Sequence, residues 1–372
     1  MRTRRQDKAA AAAAAEAQAE AQKEQASPAV KTLVAKSDDV PQDAPKPPAT
    51  LTISKIEEPT VHRPESKAQT KLPPLVQFFL VAILSFTISE LGYSVSLPFT
   101  KSVLAAHSRF LGTWAEVGAI TGWRLFELAL GWYGKFDGYD ITALNLLSHG
   151  PPLYLLYAHY ETHPAALFVT VVIETLATYI PFRLLRPLAS VHANPTGVPN
   201  ADILTDKPIA LLTTLLAGTI YSVSLLFAYA TYLPTYLVVY FAGIPSLVRA
   251  HESNYIGLLP VTLALGFAAR AFIFTPSEAT GRTPADEENE RFDPVKANLR
   301  ETVKWNFLGW SSQTKVAMKR TALVMFVTGI NTFLQTWLTI TGVEAVGAAA
   351  WSSVWVFASA VTGLALGAVG NV

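Results

Sequence analysis

The sequence predicts an all-α fold, a polytopic transmembrane helix bundle of eight or nine spans behind a disordered N-terminal tail. Three observations lead there. Apolar runs close to the ~20 residues needed to cross a hydrocarbon layer recur from residue 73 onward. Only 15% of residues are charged against 51% hydrophobic, and the charge is concentrated in two stretches, 1–72 and 276–319. The apolar runs also lack the regular charged face that a soluble amphipathic helix keeps toward water.

Residues 1–72 form the tail. MRTRRQDK and a long alanine run open it, and DAPKPPAT typifies its later part. Asp7, Glu16, Glu20 and Glu24 speak against a mitochondrial presequence, because transit peptides avoid acids. The tail holds too little apolar surface to offset the entropy of ordering, so it is expected to be disordered.

Residues 73–275 are expected to form the main transmembrane bundle. Its spans fall at about 75–97, 111–133, 141–159, 164–182, 208–230, 232–249 and 256–275. The third contains His149-Gly150-Pro151-Pro152, which predicts a kinked span or a re-entrant loop. A polar loop, 276–319, comes next. Asp293-Pro294 starts an amphipathic helix there, at about 294–310. Val295, Leu299, Val303 and Trp310 gather on one side of it, beside a basic row of Lys296, Arg300 and Lys304. A C-terminal transmembrane hairpin, 320–372, closes the chain with spans at about 321–342 and 345–369.

Counting basic residues puts the N-terminus in the cytosol. Nine crossings would separate Lys315, Lys319 and Arg320 from Arg183, Arg186 and Lys207. That conflict predicts that the second, third or seventh segment fails to cross.

The candidate functional residues start from WRLFELALGW, residues 123–132. On a helix, Glu116, Arg124 and Glu127 fall within a narrow arc, and Arg124 and Glu127 are three apart, close enough to pair. Each charge at mid-membrane costs roughly 2.5–3.5 kcal/mol, while each Leu, Phe or Val returns only about 0.3–0.6. The charged stripe is therefore expected to face other helices. Glu90 shares a face with Thr87 and Ser94, and Glu174 lines up with Thr170 and Thr178. Thr328, Asn331, Gln335 and Thr339 form an uncharged polar stripe. Glu90, Glu116, Arg124, Glu127 and Glu174 are the expected binding cluster. Gly118 and Gly122 make a GxxxG that allows a second helix to approach closely.

Other chemistry finds little footing. There is no cysteine, and no HExxH, GxSxG or phosphate-loop pattern. His159-x-x-x-His163 has metal spacing but reads as an interfacial loop, and KFDGYD reads as a turn. No cofactor or metal is called for. A net charge of +1 argues against nucleic acid. The expected partners are membrane lipids, with protein partners reached through the tail. The leading functional reading is a transporter- or channel-like bundle using the carboxylate/arginine cluster. A non-catalytic membrane scaffold or complex subunit, with the charges as structural ion pairs, comes second, and an enzyme third. The organelle and solute are not encoded legibly.

Overall fold

A computed structural model describes residues 72–293 and 295–370. The expected disordered tail lies outside the described residues. The remainder is all-α, and the chain is a multi-pass membrane protein. Its long helices are α1 (Pro74–Ala105), α2 (Trp114–Tyr133), α3 (Gly138–His159), α4 (Pro164–Leu185), α5 (Lys207–Ala230), α7 (Tyr255–Thr280), α10 (Ser312–Thr339) and α11 (Ala345–Val369). Shorter ones include α6 (Leu233–Tyr240), α8 (Pro284–Glu290) and α9 (Leu299–Leu308).

Six of these helices are long and apolar enough to cross a membrane: α1, α4, α5, α7, α10 and α11. The helices α2 and α3 are long enough but more polar. Both nevertheless run the length of the bundle. Near its start α2 is tied to Trp337, late in α10, through Arg109; near its end it meets Phe182, late in α4. Helix α3 begins beside Arg320, early in α10, and ends at Tyr229, late in α5.

Residues 232–249, expected from the sequence to span, form no helix long enough to cross. Helix α6 has only 8 residues, about 12 Å of rise, and the chain then turns through Gly243 at φ +78°. Phe241 bridges to Val343 instead of continuing. This removes the charge conflict. With that segment confined to one end, Lys315, Lys319 and Arg320 emerge at the same end as Arg183, Arg186 and Lys207.

Helix starts follow local chemistry. Thr113 and Glu116 form a capping box for α2, Asp137 caps α3, His163 with Pro164 starts α4, and Asn254 caps α7. The helices α5 and α7 cross at glycines. A Cβ on Gly266 would lie 2.5 Å from the Gly218 nitrogen and 2.6 Å from the Thr214 oxygen. Beside this contact Ser222 and Thr262 share a 2.6 Å hydroxyl hydrogen bond.

Helix α3 is continuous through Pro151 and Pro152, so the re-entrant alternative does not arise. Proline has no N–H, so Pro151 frees the carbonyl of Leu147 and Pro152 that of Ser148. Both are taken by α10. Thr328 Oγ1 donates to the Leu147 oxygen at 3.3 Å, and Asn331 Nδ2 to the Ser148 oxygen at 2.9 Å. The uncharged polar stripe of α10 thus serves the broken ladder of its neighbour. Asn331 is fully buried and also accepts from Trp123 Nε1 of α2 at 3.1 Å. Asn331→Leu is expected to strand the Ser148 carbonyl and the Trp123 N–H, at about 1–3 kcal/mol for each group. A lowered melting temperature of the purified variant in micelles would register it. Thr328→Val should cost less, because its bond is longer.

Candidate functional site at the charged centre of the bundle

Three helices bring their polar residues together at mid-bundle. Arg124 of α2 approaches Glu174 of α4, with Nη2 2.9 Å from Oε2, and both side chains are largely buried. The contact is an ion pair. Tyr93 of α1 donates its hydroxyl to the other Glu174 oxygen at 2.8 Å. One carboxylate therefore ties α1, α2 and α4 together. Thr170 and Thr178, its companions on α4, turn their hydroxyls back to backbone carbonyls at 3.1 and 3.0 Å.

The other sequence-selected residues are placed differently. Arg124 pairs with Glu174 rather than with Glu127, its neighbour three residues on. Glu127 is buried and lines a cavity with Arg124, Asn145, Ser148 and Thr178. The cavity measures about 10 Å³, room for roughly one water. Glu116 sits at the end of α2, where it completes the Thr113 capping box and pairs with Arg109. Glu90 faces outward from α1, exposed together with Thr87 and Ser94. It makes no hydrogen bond or ion pair among the described residues. The positions over Gly118 and Gly122 are open, with no atom within 4 Å of an added Cβ.

A second cluster lies at the end where α3 starts, in a stretch that reads in the sequence only as a turn. Asp137 accepts from Tyr139 and Asp140 N–H groups on one oxygen, at 3.0 and 2.9 Å. Its other oxygen accepts from Ala189 N–H at 2.9 Å and meets His192 Nδ1 at 2.6 Å. Asp140 receives Arg320 on both oxygens, at 2.7 and 3.2 Å. Arg186 donates to the carbonyls of Gly131, Trp132 and Phe136 and lies 4.1 Å over the Trp132 ring. Asp137, Asp140 and His192 each offer one ligand atom within 4.8 Å of the others. Each of these carboxylate oxygens already has a donor, and Arg320 supplies the positive charge. The arrangement works as a clasp that fastens the 186–193 loop and α10 to the start of α3. His192 and Arg320 lie far from KFDGYD in the chain, so no local motif reveals the set.

The clasp has a pH signature. Burial pushes the Asp137 carboxyl up, but its hydrogen bonds from His192, Asp140 and Ala189 outweigh this, and its pKa lies below the ordinary 3.8. Burial pushes His192 down, but the Asp137 hydrogen bond and the Asp137 and Asp140 charges raise it above the ordinary 6.5. The lowered acid contributes stability above pH 3.8 that is lost as pH falls through its folded value. The raised base contributes stability below pH 6.5 that is lost as pH rises through its folded value. Hydrogen-exchange protection around Ala189 is therefore expected to be greatest between those limits. His192→Gln should remove the alkaline limb and also weaken the acid limb, because His192 is the first of the contacts that lower the Asp137 carboxyl.

His159 and His163 do not share a site. His159 is fully buried in the core, its Nε2 2.9 Å from the Tyr229 hydroxyl, whereas His163 caps α4. The expected interfacial loop is thus half core.

With this geometry in place, comparison with known proteins adds one match. Residues 206–369 match the family model described as the Bouquet formation protein 3 C-terminal domain. The match covers somewhat less than half of the chain, from the start of α5 to the end of α11. It includes the Gly218–Gly266 crossing, the α9 segment, Asn331 and Arg320. The Arg124–Glu174–Tyr93 set and Glu90 lie outside it. No curated protein matches the chain, and no solved structure does.

Proposed function

We propose that this chain is a member of the bouquet formation protein 3 family and a non-catalytic, multi-pass subunit of a nuclear-envelope membrane complex. The family match supports the first part of this reading, and the nuclear envelope is the location that membership would suggest. A passage for solutes finds no support: the central cavity holds about one water, and Arg124, Glu174 and Tyr93 are engaged with one another. The observation that carries the subunit reading is Glu90. Ionisable residues within spans turn toward the protein interior or a wet cavity, because lipid exposure costs roughly 2.5–3.5 kcal/mol. Glu90 lies within the Pro74–Pro98 span yet faces away from the bundle. A polar or basic residue on a partner's transmembrane helix would cover it.

Orientation belongs to the same reading. Arg183, Lys207, Arg282, Arg291, Lys315 and Lys319 gather at one end, and Arg109 and Arg249 at the other. The positive-inside rule places the cation-rich end, which also holds the start of α1, on the cytosolic or nucleoplasmic side.

The test is co-purification of the tagged full chain from its own membranes, with the Glu90→Leu variant alongside. Glu90→Leu should localise to the nuclear envelope and melt no lower than the wild type. It should lose the membrane proteins that the wild type retains in fixed ratio. A tagged chain absent from the nuclear envelope, an identical set of retained proteins, or solute flux through reconstituted wild-type vesicles would each overturn the reading.

A further inference from the structure

Outside the spans, one helix turns its apolar side away from the protein. Helix α9 starts at an Asn298–Glu301 capping box. Leu299, Val303 and Phe307 recur at every fourth position and are 81%, 47% and 73% exposed. Val295 before the helix and Trp310 after it are exposed as well. Arg300 and Lys304 follow Leu299 and Val303 directly, so a basic row runs beside the apolar one. Trp305 points the other way. It stacks on Phe292 with ring centroids 4.9 Å apart and donates Nε1–H to the Asn289 carbonyl at 2.9 Å. One side of α9 is therefore pinned to the chain, and the apolar side stays exposed among the described residues.

What could cover it is limited by where the helix is tied. The span of α7 ends at Thr280, and the span of α10 begins at Ser312, so 281–311 leaves and re-enters one face of the bilayer. Only Gly309 to Ser311 separate α9 from α10, whose first turns carry Lys315, Lys319 and Arg320 before its apolar part begins. The segment is also fastened to the top of α10. Asp286 of α8 accepts the Ser312 N–H at 2.7 Å, and its second oxygen accepts the Thr283 N–H at 2.8 Å. A helix tied to the basic first turns of a spanning helix is held at the level where headgroups lie. Its charge fits that layer: Arg300 and Lys304 have no ion pair among the described residues, and exposed Lys315 and Lys319 on the first turns of α10 extend the basic surface. Lys296 is partly engaged, 3.5 Å from Asp293.

We infer that α9 is an interfacial helix of this protein's own bilayer, with Leu299, Val303 and Phe307 in the acyl boundary and Arg300 and Lys304 on anionic headgroups. Burial of such a face in the headgroup/acyl boundary is what an amphipathic helix with a cationic border achieves. Each cation near an anionic surface strengthens the attachment roughly fivefold. The inference stands apart from the family reading, since it uses only α9, its tethers and the adjacent spans.

The chain has no cysteine, so single labels can be placed without background. The full chain would carry a fluorophore at Val303→Cys, or at Glu288→Cys on α8 as the water-facing control. It would be reconstituted in phosphatidylcholine vesicles with and without phosphatidylserine. Lipid-borne nitroxides should quench the label at 303 several-fold more than the label at 288, and aqueous iodide should do the reverse. Phosphatidylserine should strengthen the lipid quenching at 303, and adding Arg300→Gln with Lys304→Gln should remove that increment while melting behaviour is unchanged. Equal quenching at the two positions would overturn the inference. So would a label at 303 shielded from both quenchers, which would mean that protein covers the face, or an unaltered phosphatidylserine increment in the glutamine variant.

Discussion

Arg124→Leu is expected to destabilise the bundle by about 3–5 kcal/mol, the cost of leaving a buried partner charge alone. Glu174 would then keep the Tyr93 hydroxyl, 2.8 Å away, as a hydrogen-bond donor but lose its paired positive charge. Glu174→Leu should cost less than Arg124→Leu if the freed guanidinium finds the cavity and Glu127 beside it. The informative variant is the double one, Arg124→Leu with Glu174→Leu. Replacing both members of a buried pair with apolar residues is often neutral or stabilising, so the double should recover most of the loss. Thermal melting and monodispersity of the four proteins in micelles would measure this cycle. A double variant that melts as low as Arg124→Leu would show that the charges do more than hold α1, α2 and α4 together. It would bring a functional role for the cluster back into consideration.

The pair also marks where sequence reasoning stops. That Arg124 is buried and paired is legible, because an isolated charge among Trp, Leu and Phe has no cheaper option. Its partner is not. Glu127 is the near residue by helical spacing, but Glu174 on another helix takes the contact. Glu90 shows the same limit from the opposite side. A wheel places Thr87, Glu90 and Ser94 on one face, but only the packing of α1 on its neighbours decides whether that face is inside. The wheel also groups Glu116 with Arg124 by angle, whereas its height on α2 puts it in a helix cap.

Span counting fails where length and hydropathy are locally misleading. Residues 232–249 are apolar enough to resemble a span, yet Pro234 lies in the first turn of α6 and the helix stops at Tyr240. The residue that points to the correction is Arg320. A basic cluster at 315–320 on the wrong side is a real contradiction, but the sequence offers three candidate segments to remove and not the fourth. The polar stripe of α10 is visible as a stripe, and the double proline as a break. Their connection, two freed carbonyls answered by Thr328 and Asn331, depends on α3 and α10 being neighbours at one register.

Glycine gives the sharpest contrast and the second large prediction. Gly118 and Gly122 carry the recognisable GxxxG spacing, and both face open space. Gly218 and Gly266 belong to no such motif, and between them two backbones touch. Gly266→Leu is expected to force α5 and α7 apart. Its Cβ would meet the Gly218 nitrogen, the Thr214 oxygen and the Gly218 Cα within 2.9 Å, all of them backbone atoms that no rotamer change can move. Overpacking of a well-filled site costs about 1–3 kcal/mol when side chains can adjust, and more is expected here because they cannot. The Ser222–Thr262 hydrogen bond beside the contact should be lost with it. Gly118→Leu and Gly122→Leu should leave the melting temperature of the isolated chain near the wild-type value, apart from a small gain in helix propensity. If Gly266→Leu melts like Gly118→Leu, the α5–α7 crossing is not a close backbone contact, and the packing of the region matched to the bouquet formation protein 3 domain would have to be redrawn around a different pair of helices.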